Sequence, residues 1–198
     1  MTEDDALMIA VQSGDGQAFE CLVERHQRAL LGFFYRNTGD IQLAEDLAQE
    51  TLLRVYSQAW DYLPRGRFRG WLFRIARNLL IDTSRRRTHD LLLHSLKLRP
   101  DQEHDLLANL VGRSRRPEDG ASHRELAAAV DELLGELPEE QRLTFTLHHF
   151  AGLSLPEVAE AMEIPLATCK SRLRLAREKL QGRLRRLGFG APVGEEPE

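Results

Sequence analysis

The chain has 198 residues, of which 42% are hydrophobic and 29% charged, and its formal net charge is −4 at pH 7. This composition suits a packed core and excludes wholesale disorder, and no apolar run approaches the roughly 20 residues that a membrane span needs. The acidic start "MTEDDALMIA" lacks the basic-then-apolar order of a signal peptide. The two cysteines, Cys21 and Cys169, give no disulfide framework. The sequence therefore predicts a cytoplasmic protein with no direct membrane insertion.

Hydrophobic periodicity predicts helices along almost the whole chain, and no segment shows the alternation of a strand. The predicted helices of the first half cover about residues 4–13, 17–36, 41–60 and 70–86, with Asp40 as the N-cap of the third. After residue 87 the sequence mixes charge, proline, glycine and scattered leucines, which predicts a linker with a short helical turn near Leu106–Val111.

The small net charge conceals a strong polarity along the chain. Residues 65–87 hold eight arginines and one acid, and residues 166–187 hold eight lysines or arginines and one acid, so each segment carries +7. Residues 1–64 carry −7. One basic segment alone would more often be a solvated helix face, but two of similar size indicate contact with a polyanion at two places.

The segment "GLSLPEVAEAMEIPLATCKSRLRLAREKL" predicts a helix-turn-helix. Ser154 and Glu157 form a capping box ahead of a short helix with one apolar stripe. After the break at "EIP", a second helix carries a narrow apolar sector and a basic face. The polar residues of that helix suited to a DNA groove are Thr168, Lys170, Ser171, Arg174 and Arg177. The alternative is a helical hairpin that only packs.

The segment "WLFRIARNLLIDTSRRR" places a tryptophan on the polar side of its helix. That side carries Trp71, Arg74, Arg77, Asn78 and Arg85, and Arg67 lies in the basic loop before it. An exposed tryptophan among arginines suits stacking on unpaired bases. Equally, Trp71 could cap the core at the start of its helix while the arginines face solvent, and the residues alone leave both readings open.

The predicted helix at 41–60 has one acidic face. That face comprises Gln42, Glu45, Asp46, Gln49, Glu50, Leu53 and Ser57, and the opposite side is apolar. An acidic stripe repels DNA, and the exposed Leu53 within it suits a protein partner with a basic surface. Such an acidic stripe is more often simply the solvent-exposed face of a helix.

The fold class predicted from these patterns is all-α, with two small helical domains joined by a flexible linker and a helix-turn-helix in the second. The domains are expected at residues 1–87 and 122–187, the linker at 88–121 and a disordered tail at 188–198. No nucleophile–base pair, metal-ligand spacing or phosphate-binding glycine loop is present, so we expect no enzyme activity, catalytic residue, metal or cofactor. The rival functions are a conventional dimeric helix-turn-helix repressor or activator and a helical adaptor that binds only proteins.

Three motifs together resemble the extracytoplasmic-function (ECF) sigma factors of bacterial RNA polymerase. "DIQLAEDLAQETLLRVY" is similar to their region 2.2, which docks on the clamp helices of the polymerase β′ subunit. "FRGWLFRIARNLLIDTSRRR" is similar to regions 2.3 to 2.4, which melt and read the −10 promoter element. The segment from Leu137 to Leu180 is similar to region 4, which reads the −35 element. The resemblance covers about residues 5–86 and 122–186.

This resemblance implies a function and a set of contacts. The chain would bind core polymerase and direct promoter-specific initiation, with promoter DNA as its second partner and an anti-sigma protein as a candidate third. Polymerase contact is expected at Asp46, Gln49, Glu50 and Leu53. Contact with the −10 element is expected at Arg67, Trp71, Arg74, Arg77 and Asn78, and contact with the −35 duplex at Thr168, Lys170, Ser171, Arg172, Arg174 and Arg177. The loop at 62–69 would help shape the pocket for an extruded −10 base.

Overall fold

The computed structural model describes residues 2–97 and 123–189, with the side chains of residues 2–89 and 129–189. Its helices are α1 (Glu3–Gln12), α2 (Gly16–Thr38), α3 (Ile41–Ser57), α4 (Phe68–Lys97), α5 (His123–Gly135), α6 (Glu139–His149), α7 (Leu155–Met162) and α8 (Leu166–Arg186), and a 3₁₀ turn (Ala59–Asp61) follows α3. All regular secondary structure in these ranges is helical, which confirms the all-α fold class. None of the described helices is both long and apolar enough to cross a bilayer.

Side-chain caps mark the starts of α1, α2, α3 and α7. The Asp40 carboxylate accepts the backbone N–H groups of Gln42 at 3.0 Å and Leu43 at 3.1 Å, as predicted for an N-cap. The third predicted helix ends earlier than expected, at Ser57, and continues only as the 3₁₀ turn.

The helix α4 runs to Lys97, past the predicted end at Arg86 and into residues expected to be linker. No glycine or proline occurs between Trp71 and Arg99, so loss of apolar period alone does not stop the helix. The predicted helical turn at 106–111 and most of the predicted tail lie outside the described residues, and the predicted domain boundaries stay a prediction.

The first helical unit packs α2 against α1, α3 and α4. Its centre is aromatic, because Phe33 lies 5.3 Å from Phe34 and 5.7 Å from Phe73 between ring centroids. The predicted apolar sides of α3 and α4 face this core, with Leu47, Val55 and Leu72 among the buried residues.

The second helical unit comprises α5 to α8, with α7 and α8 as the helix-turn-helix. The predicted apolar sector of α8 is confirmed, since Cys169, Leu173, Ala176 and Leu180 are all buried. Burial raises the pKa of the Cys169 thiol, only partly offset by Arg172, so the thiol stays protonated and acts as a small apolar group.

The two units pack against each other, with α7 on α4 and with α5 and α6 on α2. One apolar cluster runs through both units and includes Phe73 from α4 and Val158 from α7. At its edge the Arg36 guanidinium lies 3.2 Å from the Asp131 carboxylate and 3.8 Å above the Phe150 ring. Burial raises the pKa of Asp131, and the charge of Arg36 only partly offsets this rise. The sequence did not predict this contact between the units.

Candidate polymerase and nucleic-acid interfaces

The acidic face of α3 points away from the core. Glu45, Asp46 and Gln49 are exposed, and Glu50 is half-buried, with its carboxylate 2.9 Å from Arg54 Nε. Leu53 is 63% exposed. The predicted division of α3 into a buried apolar side and an acidic side is therefore confirmed, and the four residues expected to contact polymerase share one surface.

An apolar extension of this face comprises Leu53, Tyr56 and Trp60, all exposed. Trp60 is 76% exposed although it is the largest of them. A cluster of large exposed apolar side chains indicates a binding surface. Tyr56 and Trp60 are not among the residues predicted from the sequence, although their spacing of three and seven residues from Leu53 is a helical signal that indicates them.

Trp71 is half-buried and does not stand free on the polar face of α4. Its ring centroid lies 5.0 Å from that of Tyr62 and 6.1 Å from that of Phe68. The structure thus favours the second of the two readings, in which the tryptophan packs at the start of its helix. The exposed tryptophan of the first unit is Trp60.

The loop between the 3₁₀ turn and α4, residues 62–67, is anchored by α1. Asp5 is fully buried, and its carboxylate accepts hydrogen bonds from the Tyr62 hydroxyl and from the Gly66 backbone N–H at 2.8 Å. Burial alone would raise the pKa of Asp5, but the hydrogen bonds from Tyr62, Thr2 and Gly66 outweigh it and lower the pKa. A charged carboxylate therefore sits under this loop at neutral pH.

Basic residues at the start of α4 and in the loop before it lie close to acids of α7. Arg67 Nη1 lies 3.1 Å from Glu160 Oε2, and Arg77 Nη1 lies 3.8 Å from Glu163 Oε2. Arg77 also donates to Asn78 Oδ1 at 3.3 Å. Arg74 is half-buried and Asn78 exposed. The predicted −10 residues thus lie along the start of α4 and in the loop before it, and Arg67 and Arg77 lie against the second unit.

The backbones of the two units also approach closely beside this edge. Arg69 donates to the Ala151 carbonyl. A Cβ added to Gly70 would lie 3.8 Å from Glu157 Cβ, which places α4 and α7 in direct contact. Gly152 has φ +68°, and a Cβ there would come within 2.9 Å of Arg69 Nη2. Glycine at 152 therefore supplies both a left-handed backbone and room for Arg69.

The outward side of α8 carries the predicted −35 residues. Lys170, Ser171, Arg174 and Arg177 are exposed, while Thr168 and Arg172 are half-buried. All three arginines of this set have a side-chain partner. Arg172 lies 2.5 Å from Glu140, Arg174 lies 2.6 Å from Glu178, and Arg177 Nε lies 3.2 Å from His149 Nε2. Burial first, then the charge of Arg177, lowers the pKa of His149.

The helix-turn-helix begins and turns as the sequence indicates. The Glu157 carboxylate accepts from the backbone N–H of Ser154 at 2.8 Å and from its hydroxyl at 2.6 Å. The helix α7 ends at Met162, and its C-cap residue Glu163 has a left-handed φ of 54°.

The described residues contain no group of three or more histidines, cysteines or acids placed to hold a metal ion.

Comparisons with known proteins match each of the two units to a protein family model. Residues 22–89 match the family model for Sigma-70 region 2, and residues 120–180 match that for Sigma-70, region 4. The chain is 32% identical over 177 residues to the ECF RNA polymerase sigma factor SigW of Bacillus subtilis, covering 89% of this chain and 94% of that protein. It is 32% identical over 189 residues to the RNA polymerase sigma-H factor of Pseudomonas aeruginosa, covering 93% and 95%.

Solved structures agree in fold. CnrH, in complex with the cytosolic domain of CnrY, superposes with a TM-score of 0.67 at 26% identity, covering 92% of this chain and 97% of CnrH. The Bartonella quintana sigma factor RpoE, in complex with the anti-sigma factor NepR, gives a TM-score of 0.67 at 23% identity, covering 84% and 96%.

The two matched regions, in this order, define a promoter-recognition subunit of bacterial RNA polymerase. The chain belongs to the ECF sigma factors. It therefore binds core RNA polymerase and directs promoter-specific transcription initiation through the −10 and −35 elements. This decides against the conventional repressor or activator and against the protein-only adaptor.

Proposed function

We propose that each interface described above serves one partner of the initiation complex. The acidic face of α3, with Asp46, Gln49, Glu50 and Leu53, docks on the β′ clamp helices of the polymerase, and Tyr56 and Trp60 extend this contact. The observation that carries the proposal is the junction of acid and exposed apolar surface on one helix, since neither suits DNA and both suit a basic protein partner.

The basic surfaces take the DNA. Arg67, just before α4, and Arg74 and Arg77 on α4 contact the backbone of the melted strand. Asn78 reads or positions the extruded −10 base. Trp71 supports this surface from beneath, packed on Tyr62. The loop 62–67 shapes the pocket for that base.

The −35 duplex lies across α8. Lys170, Arg174 and Arg177 reach base edges and phosphates of the major groove, with Thr168 and Ser171 beside them. Arg172, half-buried against Glu140, contacts the phosphates from the flank. The chain itself performs no chemistry, because the polymerase catalyses, and its place of action is the cytoplasm where the polymerase works.

The arrangement of the two units is a closed one. The promoter elements are named for positions about 25 base pairs apart, which at about 3.4 Å per base pair is about 85 Å of duplex. Here α7 lies directly on α4, and its Glu160 pairs with Arg67. We therefore propose that the units separate when the chain joins polymerase. RpoE of Bartonella quintana was solved with an anti-sigma factor, and we propose a protein of that kind as the partner of the free chain.

A binding assay with purified core polymerase tests the docking surface. The variant Asp46→Ala/Gln49→Ala/Glu50→Ala should bind core polymerase at least about tenfold more weakly, because truncated contacts at the centre of an interface cost most. The matched control is Glu20→Ala/Glu24→Ala, which removes two exposed acids from α2. Equal loss in both variants would show a general charge effect and contradict the assignment.

A further inference from the structure

The helix α1 contains a buried acid that lies outside the matched region 2 segment. Asp5 is fully buried, whereas the family match begins at residue 22. Its carboxylate accepts three hydrogen bonds, from the Tyr62 hydroxyl, the Gly66 N–H at 2.8 Å and the Thr2 N–H at 2.8 Å. A buried charge with three donors is fully satisfied. Two of those donors belong to the loop that leads into α4.

The loop has few other attachments among the described residues. Leu63, Pro64 and Arg65 are exposed, and Arg65 N–H bonds only back to the Leu63 carbonyl at 2.9 Å. Gly66 has φ +73°, which makes its amide point inward to Asp5 without a side chain in the way. The start of the loop is held by the same helix, because Gln12 Nε2 donates to the Tyr62 carbonyl at 2.9 Å. The position of the loop relative to α4 is thus set from α1.

The hold on Tyr62 extends into the −10 surface. The Tyr62 ring lies between Asp5 and two aromatic rings, 5.7 Å from Phe68 and 5.0 Å from Trp71. Burial, and then the hydrogen bond to Asp5, raises the pKa of Tyr62, so its hydroxyl remains a donor at neutral pH. A change at Asp5 therefore affects the position of Trp71 through the Tyr62 ring. It affects the position of Arg67 through the adjacent Gly66.

We propose that Asp5 is a positioning residue for −10 recognition: its carboxylate fixes Tyr62 and Gly66, and so fixes the shape of the pocket that discriminates the extruded base. The proposal rests on the assignment of loop 62–67 to that base. Asp5 touches no DNA itself. Its loss would let the loop take several positions, so that different bases fit comparably well.

The test uses Asp5→Asn in holoenzyme reconstituted from the full chain and core polymerase. The amide keeps the shape of the side chain but supplies one oxygen acceptor instead of two. The readout is run-off transcription from one responsive promoter and its single-base variants at each −10 position. We expect the ratio between the preferred base and the others to fall by about tenfold at one position, the worth of one good recognition contact.

The matched control is Asp4→Asn. Asp4 is a neighbouring buried acid on the same helix, but its partners are Arg25 at 2.6 Å and His26 at 3.1 Å, not the loop. A merely structural role for Asp5 would lower transcription from every promoter variant in proportion, as Asp4→Asn would after matching for thermal stability. Tyr62→Phe, which removes one donor to Asp5, should reproduce part of the loss of base discrimination.

The outcomes separate this proposal from the one on which it rests. Unchanged base ratios in Asp5→Asn, with an active and discriminating wild type, overturn the positioning role and leave the assignment of the loop intact. If exchanging the exposed loop residues Leu63 and Arg65 also leaves every −10 ratio unchanged, the assignment of the loop to the −10 base fails, and the Asp5 proposal fails with it.

Discussion

Arg67, the last residue of the loop before α4, and Glu160 of α7 form an ion pair at 3.1 Å across the boundary between the two helical units. A residue proposed to contact −10 DNA is therefore neutralised by an acid of the unit proposed to read the −35 element. Glu163 repeats this relationship with Arg77 at 3.8 Å. The acids of α7 thus pair with two arginines that we propose contact DNA phosphates.

Removing these acids should loosen the closed arrangement. The change is Glu160→Gln with Glu163→Gln in the free chain. The Arg67 and Glu160 side chains are 65% and 41% exposed, and the Arg77–Glu163 pair is long, at 3.8 Å, so each pair contributes little. We expect the equilibrium to shift toward the open form by only about two- to fivefold. Small-angle X-ray scattering measures the resulting increase in radius of gyration.

A control for this experiment removes an acid within one unit. Glu136→Gln breaks the pair with Arg183 at 3.1 Å, which does not cross the boundary, and should leave the radius of gyration unchanged. Raising the salt concentration should expand the wild type toward the variant. A variant as compact as the wild type at every salt concentration would show that the apolar contact alone holds the units together.

Trp60→Ser tests the apolar extension of the docking surface. With 76% of the side chain exposed, the substitution should change the free energy of unfolding by no more than about 0.5 kcal/mol. Its Kd for core polymerase should rise by about tenfold, since tryptophans are often dominant contacts. Leu187→Ser is the control, because Leu187 is also exposed but lies at the end of α8. An unchanged Kd in Trp60→Ser would remove Trp60 from the interface.

Arg174→Ala tests the −35 surface. Loss of one base or phosphate contact should weaken promoter binding by holoenzyme by about five- to a hundredfold. The control is Arg183→Ala on the same helix, an exposed arginine nine residues nearer the chain end that pairs with Glu136 instead. Titration of holoenzyme against promoter fragments gives both affinities. Comparable affinities for the two variants would place the −35 contact elsewhere on α8.

His26 makes stability depend on pH. Burial lowers its pKa below the usual 6.5, although the hydrogen bond with Asp4 opposes the shift. The unfolded chain therefore binds a proton more readily than the folded chain, so stability is full above the unfolded pKa and falls as pH drops below about 6.5. Urea unfolding at pH 7.5 and 5.5 should show this loss.

Urea unfolding of His26→Gln at the same two pH values tests whether His26 causes the loss of stability. Glutamine cannot titrate, so the loss between the two pH values should shrink, and the remainder includes His149, whose pKa is also lowered by burial. An equal loss in wild type and variant would assign the pH dependence to other groups.

Local periodicity sufficed for the faces of the helices. The acidic and apolar sides of α3 and the buried sector of α8 follow from residues three and four apart. Asp40 caps α3 through the backbone N–H groups two and three residues further on. Non-local contacts could not be read this way. Trp71 is half-buried because Tyr62 comes from a loop, and Asp5 meets Gly66 across 61 residues. Periodicity likewise gives no signal for the packing of α7 on α4.

The most direct test of the sigma-factor account is run-off transcription with purified core polymerase on a library of host genome fragments. Reactions contain no sigma factor, the wild-type chain, or the Asp46→Ala/Gln49→Ala/Glu50→Ala variant. The account predicts new discrete transcripts with the wild type that are lost with the variant, and their start sites reveal the promoter elements. Absence of transcripts, together with tight binding of the free chain to duplex DNA, would contradict it.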